Sequence, residues 1–240
     1  LPVSTVQAVE HYCEKLKRYL TGTPVPATGR AVLQAGVFTS LRHPVSGDLL
    51  QISSAYYAMD PGRTLDLLSD AYTLTRQFEA ANPVPDPTAL IYENAGEFAG
   101  THLALLEEGV QLVRYADHGT YTSLAPGIDA GAAYALTHDA TPVILSETCF
   151  GGGFGHEDSA GEQVVKAPQG GAIAYFGQGA VGNSLLGANQ LLDEVTRYLV
   201  RTENPNLGDA YLYGHLALPD VDDTFTFPLH LGGFPFFDVT

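Results

Sequence analysis

Three stretches decide the fold: QLVRYADHG (111–119), TPVILSETCFGGG (141–153) and PQGGAIAYFGQG (168–179). Each is an apolar run of strand length that ends in glycine. Helical sequence separates them, AGAAYALTHD (130–139) and then EDSAGEQVVKA (157–167). Strands that are apolar on both sides and alternate with helices imply a parallel sheet covered on both faces. Ligand and catalytic sites of such sheets lie at the carboxyl ends of the strands. Upstream, TALIYENA (88–95) reads as a strand and GEFAGTHLALLEEG (96–109) as a helix closed by Gly109. Downstream, SLLGANQLLDEVTRYLVR (184–201) is an amphipathic helix and NLGDAYLYGHLAL (206–218) is another. TFTFPLHLGGFPFFDV (224–239) is strand-like.

The front of the chain follows less regular rules. Residues 4–20 are expected to form a helix capped by Ser4 or Thr5, with Val6, Val9, Cys13, Leu16 and Leu20 at helical spacing. TGTPVPATG (21–29) is a linker, RAVLQAGVF (30–38) and DLLQISSAYYAM (48–59) are strand or mixed segments, and Thr64–Ala80 is expected to be one helix. NPVPDP (82–87) interrupts the chain. The expected organisation is therefore an N-terminal helix and accessory part over 1–87 and a core over 88–240. Together these make one α/β domain, a three-layer α/β/α sandwich with a mostly parallel sheet. No internal repeat or low-complexity tract is present.

Composition narrows the function. The chain has 240 residues, 45% hydrophobic and 16% charged, with 11 Lys+Arg against 27 Asp+Glu. Such a chain builds a full core, and a net charge of −16 argues against nucleic-acid binding, which needs clustered cations. No run reaches the length of a membrane span. The charge is uneven: beyond residue 114 only Lys166, Arg197 and Arg201 face 15 acids. An acidic half serves solubility and also attracts cationic substrates or calcium. Two cysteines, Cys13 and Cys149, exclude a disulfide framework. A start at Leu1, with neither a basic nor an apolar leader, suggests a processed product or an excised domain of a larger chain.

The strand ends carry the chemistry. His118-Gly119 closes the first of the three runs and Cys149-Phe150-Gly151 the second, 31 residues apart. A thiol and an imidazole at neighbouring strand ends are the parts of nucleophilic catalysis, with the thiol attacking and the imidazole moving protons. Glycine beside each lets the backbone approach a substrate and donate its N–H groups. Taken singly, a buried cysteine and a turn histidine are ordinary structural residues. Their matching placement favours catalysis.

The blocks VRYADHGTYTS, SETCFGGGF, QGGAIAYFGQGAVGNS, NLGDAYLYGHLAL and FPLHLGGFPFFDV resemble, in order and spacing, those of the gingipain-type cysteine peptidases (family C25) of the caspase–haemoglobinase clan. The resemblance runs from about Leu90 to the end. It implies a caspase-like fold and a cysteine endopeptidase without a cofactor, acting on peptide or protein substrates. Cys149 would be the nucleophile and His118 its proton-transfer partner, with the N–H groups of Cys149 and Gly119 as oxyanion hole. Gln178, Gly179 and Asn183 would line a pocket that takes Arg or Lys. It also implies an extracellular or cell-envelope location. The chain departs from the family pattern at Gly232-Gly233-Phe234-Pro235, where Gly-Asp-Pro is usual, at Asn183 in place of a pocket aromatic, and at Gly119-Thr120. An acid orienting His118 is expected upstream, with Asp70, Asp86 and Glu93 as candidates. Asp117 points away from His118 if both are extended.

Three other readings compete. Gly177-x-Gly179-x-x-Gly182 is a G-x-G-x-x-G between a strand and a helix, the pattern of a dinucleotide-binding oxidoreductase, with Glu203 as the acid. Only 58 residues follow it, too few for the rest of such a fold. A catalytically idle caspase-like binding module is compatible with the departures above. Metal sites are weakly supported: His11 and Cys13 face different sides of a helix, and His138, His156, His215 and His230 lack ligand spacing. Asp220, Asp222 and Asp223 lack the glycine and distal Glu of a calcium loop.

Overall fold

The computed structural model describes residues 5–21, 29–42, 45–46, 49–53, 63–80, 86–153, 159–179, 189–217 and 237–239. In chain order the elements are α1 (Val6–Thr21), β1 (Arg30–Ala35), β2 (Val37–Arg42), β3 (Leu49–Ser53), α2 (Thr64–Ala71), β4 (Thr73–Glu79) and β5 (Leu90–Tyr92). There follow α3 (Ala95–Glu107), β6 (Leu112–Ala116), β7 (Ser123–Ala125), β8 (Ile128–Asp129), α4 (Ala130–Tyr134) and β9 (Val143–Ser146). The last are α5 (Ala160–Lys166), β10 (Ala174–Gln178), α6 (Asn189–Arg201), α7 (Leu207–Ala217) and β11 (Phe237–Val239).

Six parallel strands and one antiparallel edge strand form the central sheet, in the order β11-β10-β9-β6-β1-β4-β5. Alternate side chains point to opposite faces, as a strand requires. Leu33, Leu145 and Phe176 join Leu68, Leu192 and Val195 of α2 and α6 on one face. Val113, Ile144 and Tyr175 join Phe98, Ala133 and Val164 of α3, α4 and α5 on the other. This is the expected three-layer α/β/α sandwich.

Two expectations need correction. Thr64–Ala80 is not one helix: α2 ends at Ala71, and Thr73–Glu79 is β4, paired in parallel with β1 from Arg30↔Thr73 to Ala35↔Phe78. The alternating TLTRQFE sequence sends Phe78 into the core, and the long-range partner overrides the helical reading. In α1, Thr5 does cap the helix by accepting from the Ala8 N–H. The buried face, however, is Lys15 with Tyr12 and Leu16, while Val6 and Leu20 are exposed. Lys15 is drawn in because its ammonium donates to the carbonyls of Val165 (2.8 Å) and Ala172 (3.3 Å).

Candidate active site

The carboxyl ends of β6 and β9 lie side by side, Tyr115↔Ser146 being their last registered pair, and the Glu147 N–H donates to the Tyr115 carbonyl at 2.9 Å. Beyond that point the two exits stay in contact. A Cβ on Gly119 would stand 2.5 Å from Thr148 Cβ and 3.1 Å from the Cys149 carbonyl oxygen, so only glycine lets the backbones approach this closely. His118 on one exit is exposed and Cys149 on the other is half-buried. Among the described residues, neither the Gly119 nor the Cys149 N–H takes part in a backbone hydrogen bond.

Phe150 follows the cysteine with φ 60°, a conformation that a bulky residue rarely adopts. Its ring packs on Tyr121, centroids 4.5 Å apart, and thereby ties the loop after β6 to the loop after β9. Of the three glycines beyond, Gly151 and Gly152 are pressed against Tyr175 and Gly177 of β10, and Gly153 against Tyr121. A Cβ on Gly152 would lie 2.8 Å from the Gly177 carbonyl oxygen, and the Gly152 N–H donates to the Gln178 carbonyl at 3.0 Å. Gln178 is fully buried and its amide donates to the Glu147 carbonyl at 3.5 Å, while Gly179 is half-buried at the strand exit. The exits of β6, β9 and β10 therefore bring His118, Gly119, Cys149, Gln178 and Gly179 to one end of the sheet. Asn183, Gly182, the 232–235 segment, His156, His230 and the Asp220–Asp223 cluster lie outside the described residues.

Beneath this surface runs a buried charge network with no counterpart in the sequence reading. Arg114 donates to Glu147 at 2.6 Å and to Asn189 at 3.0 Å, both charged side chains being inaccessible to water. Asp193 of α6 accepts from Thr64 and, at 3.1 Å, from Arg63. Burial pushes Glu147 up to about 8 against the pull of Arg114, and burial also raises Asp193. The signal in the sequence was an Arg and a Glu within otherwise apolar strands, since buried charges require partners.

Asp117 lies below His118, 4% exposed. Its carboxylate accepts from Gln34 (2.6 Å), Tyr92 (2.9 Å) and the His118 backbone N–H (2.6 Å). Burial raises its pKa against these three bonds. The other acids considered upstream stand apart from it: Asp86 is engaged by Thr88 and Arg76, and Asp70 and Glu93 are exposed. Among the described residues, no three His, Cys, Asp or Glu side chains gather as metal ligands, and no helix is long and apolar enough to cross a membrane. A cavity of about 490 Å³ between α1, α4 and α5 is lined by neither His118 nor Cys149.

The model of peptidase family C25 matches residues 1–229. The chain belongs to peptidase family C25. The fold agrees with that of solved protease structures. The crystal structure of the Arg-specific cysteine proteinase gingipain R (RgpB) superimposes with a TM-score of 0.67 at 16% identity, covering 90% of this chain and 48% of that one. The complex of the pro- and mature domains of Porphyromonas gingivalis RgpB gives 0.65 and 16%, covering 90% and 49%. A further protease structure gives 0.51 and 17%, covering 78% and 37%. The chain thus spans about half the length of the gingipain chains it matches. No curated protein matches the sequence. For this C25 chain a dinucleotide fold is excluded by topology. Gly177 lies in β10 and Gly179 just beyond its end, and β10 sits between the parallel β9 and the antiparallel edge strand β11, whereas the fingerprint belongs to the strand that opens a βαβ unit.

Proposed function

We propose that this chain is a cysteine endopeptidase in which Cys149 is the nucleophile and His118 the proton-transfer residue. The observation that carries the reading is the contact of Gly119 with Thr148 and the Cys149 carbonyl, which sets the histidine and cysteine loops side by side. The Cys149 sulfur, as thiolate, attacks the peptide carbonyl carbon, and the carbonyl π pair moves to oxygen. The N–H groups of Cys149 and Gly119 receive that oxyanion. Imidazolium at His118 protonates the leaving amine as the C–N bond breaks, which leaves a thioester. Water then attacks the thioester, His118 takes its proton, and the C–S bond breaks to return the thiolate. The cycle needs no metal or cofactor.

Gln178 and Gly179, with Asn183 on the following loop, are the proposed walls of the pocket for the residue before the cleaved bond. An Arg or Lys there suits the acidic half of the chain, and Arg is the specificity of gingipain R. By analogy with the pro- and mature domains of RgpB, the chain is proposed to arise from a longer precursor, and its membership of family C25 is the ground for proposing that it acts outside the cell or at its envelope. The test is a peptide-library profile of the wild type against Cys149→Ala, with labelling by a peptidyl acyloxymethyl ketone. Cleavage after basic residues and labelling at Cys149, both lost in the variant, are expected. Equal behaviour of the two proteins together with no labelling overturns the reading.

A further inference from the structure

We infer that Asp117 is a positioning residue, whose buried carboxylate fixes the backbone of His118 at the exit of β6. The inference rests on the Cys149–His118 reading above. A carboxylate withdrawn from water costs several kcal/mol unless its oxygens are well supplied with donors. Here Oδ2 takes the Gln34 amide of β1 and the Tyr92 hydroxyl of β5, and Oδ1 takes the N–H of His118. The residue is thus held by two strands and in turn holds the next residue of its own chain. Gln34 and Tyr92 are themselves joined at 2.8 Å, so the clamp is braced on both sides.

The chain leaves room for this carboxylate at some cost elsewhere. It lies across Gly36, where the chain passes from β1 to β2, and a Cβ on Gly36 would overlap its carboxyl atoms. Gly36 is also tied to the same exit by its N–H, which donates to the Ala116 carbonyl at 2.9 Å. A turn-forming Asn or Ser would cap the His118 amide without burying a charge. The carboxylate, its two donors from distant strands and the glycine that accommodates it form one device, and its output to the site is the His118 amide.

The geometry predicts that asparagine substitutes well. In Asp117→Asn the side-chain carbonyl still accepts from the His118 N–H. The new amide group would face Gln34, whose Oε1 is buried and without a hydrogen-bond partner, so a flip of Gln34 restores the contact. Alanine removes the acceptor altogether.

The experiment measures kcat and KM on a basic peptide for Asp117→Ala, Asp117→Asn, Gly36→Ala and the Asp117→Ala/Gly36→Ala double variant, with hydrogen exchange of the His118 amide. Asp117→Ala is expected to lower kcat on the order of a hundredfold, as a misplaced catalytic group does, with KM little changed. It should also release the His118 amide to exchange, and Asp117→Asn should keep both properties near wild type. Gly36→Ala alone should lower kcat, yet add nothing in the Asp117→Ala background, because the carboxylate it displaces is gone. Wild-type kcat in Asp117→Ala, an amide still protected there, or costs of the two substitutions that simply multiply overturns the inference. An inactive wild type whose Cys149 is unlabelled overturns the Cys149–His118 reading instead, and the exchange measurement still decides whether Asp117 holds the loop.

Discussion

Glu147 and Phe150 lie on either side of Cys149, the proposed nucleophile, and are each held in a costly state. Glu147 is inaccessible to water, and among the described residues only one of its oxygens is engaged, by Arg114. Burial raises its folded pKa to about 8 from an ordinary 4.5, so between those values the folded chain binds more protons than the unfolded one. Stability from this group is therefore full below pH 4.5 and is lost as pH rises through about 8. Glu147→Gln keeps the contact with Arg114 and removes the titration. The unfolding free energy of the wild type, measured in urea, should fall more steeply than that of the variant from pH 5 to pH 8, by up to about 1.4 kcal/mol per pH unit. Parallel curves would show that Glu147 stays ionised throughout. Removing Arg114 instead, as Arg114→Leu, strands a buried carboxyl and should cost about 3–5 kcal/mol in urea unfolding at pH 8. Phe150 at φ 60° sets backbone strain against the ring contact with Tyr121. Phe150→Ala loses the ring and keeps the strain, whereas Phe150→Gly loses both. The glycine variant should be the more stable of the two by about 1 kcal/mol, measured by urea unfolding.

Helix α1 shows how an element can be legible while its packing is not. Its span and its Thr5 cap follow from local sequence, but its apolar stripe does not mark the buried side. Lys15 is buried instead, because its ammonium meets the Val165 and Ala172 carbonyls around the α5–β10 connection, about 150 residues away in sequence. Burial lowers its pKa to about 7 from 10.5, so between these values the unfolded chain holds more protons and stability rises with pH. Lys15→Met should abolish that rise. The difference in melting temperature between wild type and variant should move in favour of the wild type from pH 7 to pH 9, and a constant difference would refute the shift. The same distinction separates what else was readable. β6, β9 and β10 announce themselves as apolar runs ending in glycine, and their exits carry His118, Cys149 and Gln178. β4 was hidden inside an expected helix because its partner β1 lies some forty residues earlier. Asp117 was legible as a neighbour of His118, but its donors Gln34 and Tyr92 come from strands 83 and 25 residues away, and local spacing encodes neither.

At the scale of the molecule, the sheet reverses its direction of growth between β1 and β6: the chain moves from β1 to β4 and β5 on one side, then returns to β6, β9 and β10 on the other. Open sheets place ligands in the crevice at such a reversal. Here that position is filled by Asp117, Gln34 and Tyr92, and His118 and Cys149 stand at the next pair of exits, β6 and β9. The reversal supplies an anchor, and the proposed substrate side lies toward β10. That side also belongs to the acidic half of the chain. Of the 15 acids beyond residue 114, Asp117, Glu147 and Asp193 are buried beneath the site and contribute little to the outer field, whereas Asp129, Asp139 and Asp209 are exposed. The long-range field is thus weaker than the formal charge suggests but keeps its sign. Such a field raises the encounter rate of cations and is screened over about 3 Å at 1 M salt, against about 30 Å at 0.01 M. For the proposed peptidase, kcat/KM on an arginine peptide should therefore fall at least severalfold over that range. A neutral peptide of the same length should change little. An arginine peptide whose kcat/KM is insensitive to salt would mean that recognition of the cation is confined to the pocket, with no contribution from the acidic half.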